Sequence, residues 1–292
     1  MMKKYTLFPN MQRKSASEKM VHIFVSLLFM LVAASYLYIL VFAIIAACKT
    51  HTEIVMNPFA FPKLWNWDNF LSVMQTFEVN GNNFVGMLGN SLWFSIGCTF
   101  LNQFCCISLA YAISKYKFPG SGWFYTFILI VMTLPIYGSG GAAYKLYYEL
   151  GLIDNYAQIL ISYNGFTAGT LYYYAYFKNL SWTYAEAARI DGANDFQIYF
   201  RVMLPQAKPI FGALFLTNWV AAWNSYEGAL LYLPNLPTLP VGIYQFNQAM
   251  IYNARMDLLF AACVIVMIPS LILFAVFNKT ITTNVSIGGI KG

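Results

Sequence analysis

Six long intervals with almost no Asp, Glu, Lys or Arg constrain this chain more than any other feature. A hydrocarbon core about 30 Å thick is crossed by about 20 mostly apolar residues in a helix, so each interval is a candidate span. They lie between Lys19 and Lys49, in the later part of Glu78 to Lys115, between Lys117 and Lys145, from Asp154 to Lys178, after Lys208 with one acid at Glu227, and between Asp257 and Lys279. Helices are predicted at about 21–47, 86–113, 121–142, 156–177, 208–232 and 258–278. The expected fold class is all-α: a polytopic membrane protein with six transmembrane helices across 21–279 and tails at 1–20 and 280–292. Composition agrees, since 59% of residues are apolar and 10% charged, against about 45–50% and 25% in soluble domains.

The net charge of +6 raises the question of an acidic partner such as nucleic acid, and the positions of the basic residues answer it. Alternating sides from the N-terminus, one set of compartments holds 13 Lys and Arg and the other holds 4. The positive-inside rule therefore places both termini in the cytoplasm, as an even number of spans requires. The charge is a topology signal, and no nucleic acid is needed to explain it.

Several chemistries find no support in the residue pattern. Ile45-Ala46-Ala47-Cys48 looks like a lipoprotein processing site, but the apolar run before it is much longer than a signal-peptide core and five more spans follow, so cleavage is not expected. Cys48, Cys98, Cys105, Cys106 and Cys263 read as small apolar residues in or beside helices. His22 and His51 fall outside any metal-ligand spacing. There is no G-x-x-x-x-G-K-[ST] loop to hold a nucleotide, and no Gly-x-Ser-x-Gly or His-Glu-x-x-His pattern for a membrane enzyme.

Between spans four and five lies SWTYAEAARIDGANDFQIYFRVMLPQAKP, Ser181 to Pro209, the longest internal stretch assigned to the cytoplasm. It has the grammar of two short helices. Thr183 and Glu186 have capping-box spacing, with Ser181 as a competing cap. Gly192 supplies a stop, Asn194 or Asp195 can cap a second helix, and Phe196, Phe200 and Met203 share one face of it at i, i+4 and i+7. Pro205 and Pro209 then lead into span five. Two readings stay open: a solvated connector, or a docking element in which small alanines admit a partner backbone and aromatic rings anchor in its groove.

The stretch EAARIDGANDFQIYFRVMLPQAKP closely resembles the signature loop of binding-protein-dependent ABC importer permeases: Glu-Ala-Ala, then Asp-Gly-Ala, then Leu-Pro and a further Pro. The resemblance implies a coupling loop at 179–207 seated in a cleft of a separate cytoplasmic ATPase, with Glu186, Ala187, Ala188, Asp191, Gly192, Leu204 and Pro205 as coupling residues and the rings of Phe196 and Phe200 beside them. Ala110-Tyr111-Ala112 with Phe118-Pro119-Gly120, Gly151-Leu152 and Trp223-Asn224 extend the likeness to the smaller six-span permease of maltose-type oligosaccharide importers. Ser286 to Gly292 resembles a Gram-positive subgroup paired with a lipoprotein sugar-binding subunit. There are two departures: Ser181 stands where the family often has Pro, and Ser225 replaces the acid that often follows Trp-Asn. The resemblance further implies a bacterial cell-membrane location and four kinds of partner: a second permease subunit, two cytoplasmic ATPase subunits, an extracellular sugar-binding protein and membrane lipid. It implies no catalytic site, metal or cofactor on this chain, with ATP and Mg used by the ATPase.

In span five, Trp219, Trp223 and Glu227 are four apart, with Asn224 beside them. One reading is a sugar path, with indoles stacking on pyranose faces and Asn and Glu meeting hydroxyls. The other puts the rings in the interfacial belt and Glu227 at a wetted helix end. Tyr172, Tyr173, Tyr174 and Tyr176 are expected in the belt at the cytoplasmic end of span four. Thr133-Leu134-Pro135 and Gly138 to Gly141 are expected to break the end of span three, and Leu233 to Arg255 forms an outer loop that, by position in the family, would touch the binding protein. The rival function is an ion-gradient-driven secondary transporter with Glu227 as the ion site, disfavoured because the two halves show no repeat.

Overall fold

The computed structural model describes residues 16–284, apart from 117, 135–139, 163 and 254. Helix α1 (Ala16–Ala47) starts ahead of the expected residue 21 because Ala16 to Lys19 are compatible with a helix and Glu18 complements the first turn. Its surface is exposed over most of its length, as befits a helix bathed in lipid. It packs along α14 (Met256–Asn284), where Phe42 meets Phe260 edge-on at 5.7 Å.

The segment between the first two spans is structured, which hydropathy alone did not reveal. It holds α2 (His51–Met56), α3 (Asp68–Thr76) and a hairpin of β1 (Glu78–Val79) with β2 (Asn82–Asn83). Two local signals were present in the sequence. Thr50 and Glu53 form a reciprocal capping box, and Asn80-Gly81, both at positive φ, makes the two-residue turn that Asn-Gly favours. Glu53 also accepts from the Lys63 amide at 3.0 Å, and these backbone donors hold its carboxyl below the usual carboxylate range. Lys49, only 1% exposed, donates to the carbonyls of Asn57 and Pro58 at 3.0 and 2.8 Å.

Helix α4 (Phe84–Lys115) follows without interruption for 32 residues, its first turn capped by Asn83. Next come α5 (Ser121–Thr133), α6 (Gly140–Glu149), a 3-10 turn (Tyr156–Ser162) and α7 (Ala168–Asn179). After these stand α8 (Thr183–Ile190), α9 (Asp195–Gln197), a π turn (Ile198–Met203) and α10 (Leu204–Gln206). Helices α11 (Lys208–Asn224), α12 (Glu227–Tyr232) and α13 (Leu239–Asn253) precede α14.

Among the described residues, three helices are long and apolar enough to cross a bilayer: Ser17–Ala47, Phe84–Lys115 and Met256–Val276. The third, fourth and fifth predicted spans are not single helices. The third stops at Thr133, and the expected break at Pro135 and Gly138 lies outside the described residues. The fourth is a 3-10 turn and an irregular stretch before α7. Gly165 there lies so close to α4 that a Cβ would sit 2.8 Å from Leu109 Cδ2 and require that side chain to shift. The fifth breaks at Ser225, whose extended backbone separates α11 from α12. The outer loop of the sequence reading is mostly helix, because Pro240 in the first turn of α13 starts a helix well. The tail residues 1–15 and 285–292, including the Ser286 to Gly292 resemblance, also lie outside the described residues.

Three apolar clusters are strung along α4. At the hairpin end, Phe84 and Met87 join Trp219, Trp223, Leu239 and Val266. In the middle, Phe94 and Cys98 meet Leu233 and Val241. At the other end, Cys106 and Tyr111 join Tyr173, Phe177, Ile198 and Met203. The hairpin end is also tied by polar groups: Asn80, Asn82 and Asn90 donate to the carbonyls of Pro234, Asn235 and Pro237, and Asp154 binds both nitrogens of Asn235.

Asn69 closes α1. Its amide, 3% exposed, donates to the carbonyls of Ala47 and Lys49, both at 2.8 Å, satisfying orphan groups at a helix C-terminus. Asn69→Ala strands two buried carbonyls and is expected to cost about 1–3 kcal/mol, read as a lower unfolding midpoint in detergent; an unchanged midpoint would show that water takes over the role.

Candidate functional site

The loop that joins α7 to α11 is built from local rules. Helix α8 starts one residue earlier than a Thr183 cap would place it. Trp182 is the capping residue and gives no side-chain bond, so the expected Thr183–Glu186 box is absent. Ser181 substitutes in part, accepting from the Thr183 amide at 3.3 Å. The stop falls at Gly192, at φ +84. The Gly192 amide donates to Arg189 O and the Ala193 amide to Ala188 O, at 3.1 and 2.9 Å, which is the paired pattern of a Schellman motif. Asn194, rather than Asp195, caps α9 in a reciprocal box with Gln197. Asp195 is thereby free to take Arg189 at 2.6 Å across the turn, which raises the guanidinium's pKa and braces α8 against α9.

The π turn then divides the expected aromatic stripe. With i→i+5 spacing, Ile198 and Met203 share a face and are buried, while Phe196 and Phe200 remain outside at 78% and 46% exposure. Met203 therefore belongs to the core, contrary to the α-helical spacing read from the sequence. Glu186, Ala187, Asp191 and Gly192 are exposed, and Ala188, Leu204 and Pro205 half-buried. The structure adds two exposed apolar residues that the sequence reading missed, Tyr184 and Ile190, the latter 87% exposed at the last position of α8. An isoleucine directly before a polar stop was the available clue.

The inner side of the loop is fastened to the long helices. Ser108 and Tyr199 share a hydrogen bond of 2.8 Å, Tyr176 OH donates to Gln206 O at 2.5 Å, and Lys115 Nζ to Leu180 O at 2.6 Å. Tyr111 packs on Tyr199 with ring centres 4.8 Å apart. A cleft of about 230 Å³ between Tyr116, Asp195 and Phe196 opens beside these contacts.

The span-five residues divide between the core and the surface. Trp219 and Trp223 stack on each other at 5.0 Å and are 1% and 2% exposed, with Trp223 Nε1 donating to Val266 O on α14. The indoles thus face a neighbouring helix. Asn224 is exposed and spends its amide on Val220 O at 2.8 Å, and Glu227 is exposed at the start of α12. The four residues are therefore not brought together. Among the tyrosines, Tyr173 departs from the expected belt, being buried and donating to Gln103 Oε1 at 2.6 Å, while Tyr172 is the most exposed of the set.

A mounted loop with an exposed apolar face invites comparison with known proteins. Residues 104–286 match the family model described as binding-protein-dependent transport system inner membrane component. This chain belongs to that family. It is 27% identical over 288 residues to the arabinooligosaccharide transport permease AraQ of Bacillus subtilis, covering 97% of this chain and 100% of that one. To the diacetylchitobiose uptake permease NgcG of Streptomyces coelicolor it is 27% identical over 256 residues, covering 85% and 82%. Its backbone matches a chain from the crystal structure of a bacterial ABC transporter involved in importing the acidic polysaccharide alginate, with TM-score 0.74, 25% identity and coverage of 91% and 98%. The chain is an ABC importer permease of the bacterial cytoplasmic membrane, a family in which ATP hydrolysis belongs to a separate subunit.

Gly192 tests the local construction of the loop. No neighbour lies within 4 Å of its virtual Cβ, so a substitution is opposed by backbone strain alone. Gly192→Val is expected to raise amide exchange at positions 192 and 193 about tenfold, from about 1–2 kcal/mol of left-handed strain. Gly192→Asn should do so less, and equal exchange in both variants would remove strain as the cause.

Proposed function

We propose that this chain is the smaller permease of an oligosaccharide importer, six spans deep with both termini in the cytoplasm, paired with a different second permease. Two ATPase subunits dock on the loop from Leu180 to Ala207, and an extracellular sugar-binding lipoprotein delivers substrate to the opposite face. Three continuous helices, three interrupted apolar segments and the 13 to 4 distribution of basic residues support this topology. The relatives that carry arabinooligosaccharides and diacetylchitobiose support the substrate class.

The observation that carries the reading is the two-sided loop. Tyr184, Ile190, Phe196 and Phe200 stand exposed, while Ala185, Ile198 and Met203 lock the loop into the core. An exposed apolar face on a braced support is suited to a protein groove. Closure of the ATPase pair on ATP, with its Mg, moves this loop as one body, and its bonds to α4 and α7 carry the movement into the membrane helices. Glu186 and Asp191 form the polar rim of the docking face, and Ala187 and Ala188 let the ATPase backbone approach. The coupling is reciprocal, so a loaded binding protein outside speeds hydrolysis inside.

The combined variant Phe196→Asp and Phe200→Asp should cost at least about 2 kcal/mol of docking, as for central aromatic anchors, and reduce co-purified ATPase about thirtyfold. Stimulation of hydrolysis by the loaded binding protein should fall with it. Retention of both at wild-type levels would sink the docking assignment.

A further inference from the structure

The chain that follows α1 is apolar and exposed where a loop between spans ordinarily turns polar side chains to water. From Ile54 to Trp67 it carries one charge, Lys63. Phe59, Phe61 and Leu64 are 75–79% exposed, and Trp65 and Trp67 also stand at the surface, stacked with ring centres 6.1 Å apart. Trp67 leads onto α3, where Leu71 and Met74 follow at i+4 and i+7 and are exposed in turn, while Val73 is buried in the core. Helix α3 is therefore apolar on two sides. An apolar surface of this extent marks a contact rather than a face for water.

Its depth is set by α1. Tyr38, Phe42 and Phe59 form an aromatic track with successive ring centres 6.1 and 5.9 Å apart, leading from the exposed surface of α1 to the segment. Phe42 lies eight residues from the middle of the charge-free interval between Lys19 and Lys49, about 12 Å along the helix axis. Half the thickness of the hydrocarbon core is about 15 Å. Phe59 therefore stands level with the edge of the hydrocarbon, below the headgroups.

Irregular backbone at that level needs partners inside the protein, and this segment has them. The buried ammonium of Lys49 donates to the Asn57 and Pro58 carbonyls, the kind of pairing that a cation near the hydrocarbon requires. Glu53 takes the Lys63 amide, and the Asn66 amide donates to Cys48 O at 2.8 Å. Pro58 and Pro62 have no amide to satisfy. These bonds fasten the segment to the end of α1 and leave its apolar side chains outside.

We propose that the exposed side chains from Val55 to Met74 form an outer-leaflet anchor, a segment that does not span the bilayer but lies in the boundary between headgroups and acyl chains, with phospholipid as its partner. The side of the membrane rests on the topology proposed above. Phe59, Phe61 and Leu64 enter the acyl region, the indoles of Trp65 and Trp67 sit at the level that Trp favours, and Lys63 reaches a phosphate on its flexible stem. A binding protein seated on the outer face stands too high to cover Phe59.

The test uses the whole complex, both permeases with the ATPase pair and the loaded binding protein, in vesicles of phosphatidylethanolamine and phosphatidylglycerol tritiated in their acyl chains. A photoreactive benzophenone is placed by Phe61→p-benzoylphenylalanine, by Leu64→p-benzoylphenylalanine and, as the aqueous reference, by Glu78→p-benzoylphenylalanine. After irradiation, tritium that stays with this chain on a denaturing gel is expected to be about tenfold higher at 61 and 64 than at 78, where an exposed carboxylate marks water. Equal tritium at all three positions overturns the anchor, as does a cross-link at 61 or 64 to the second permease or the binding protein in place of lipid. The side is read separately, by labelling Glu78→Cys in spheroplasts with a membrane-impermeant maleimide. Labelling from outside is expected; labelling only after the cytoplasmic side is opened overturns the topology and the outer placement, while the tritium result still decides the lipid contact.

Discussion

Every backbone amide and carbonyl inside a hydrocarbon layer must find its partner within the protein, and α4 is the element that makes this possible for the rest of the chain. It satisfies its own backbone over 32 residues and still presents Asn102, Gln103 and Cys106 toward the segment that does not. Asn102 and Cys106 both bind the Asn164 carbonyl, and Gln103 receives the Tyr173 hydroxyl. The fourth segment can therefore break without exposing its backbone to lipid. Apolar association contributes little between helices already surrounded by lipid tails, so close packing and such polar contacts take its place. Gly165 against Leu109 and the Trp219 and Trp223 pair against Val266 are the packing half of that arrangement.

The same helix connects the two ends of the molecule. Its first turns are held in the cluster with α11, α13 and α14, and its last turns carry Tyr111 and Ser108 to Tyr199 of the loop. The contacts of the loop thus lead into a helix that runs on to the hairpin end. No flexible linker intervenes, because the loop is stopped by a Schellman motif, capped by Asn194 and braced by Arg189 with Asp195.

Much of this was legible from residue type and spacing. Charge-free intervals located α1, α4 and α14 to within a few residues, and Gly192 and Asn194 stand where helix grammar puts them. What escaped were features set by neighbours rather than by the chain itself. Trp219 and Trp223 share a face with Glu227 in the sequence, but α14 claims the rings and the helix ends before the acid is reached. Tyr173 lies among belt-like tyrosines, yet Gln103, seventy residues earlier, fixes it inside. Asn218 and Thr99 line one cavity beside the non-helical stretch before α7, and no pattern within either helix announces that. The hairpin and α2 rest on local signals, the Asn80-Gly81 turn and the Thr50–Glu53 box, which hydropathy does not register.

The π turn at Ile198–Met203 makes the length of the loop a structural quantity in its own right. One residue more per turn is what separates the rings that look outward from the side chains that hold the loop down. In comparing such loops between proteins, an alignment gap of a single residue within this turn therefore matters more than a change of residue type. It turns every following side chain about the helix axis by roughly 100°, and two loops with the same composition would then offer different surfaces to whatever binds them.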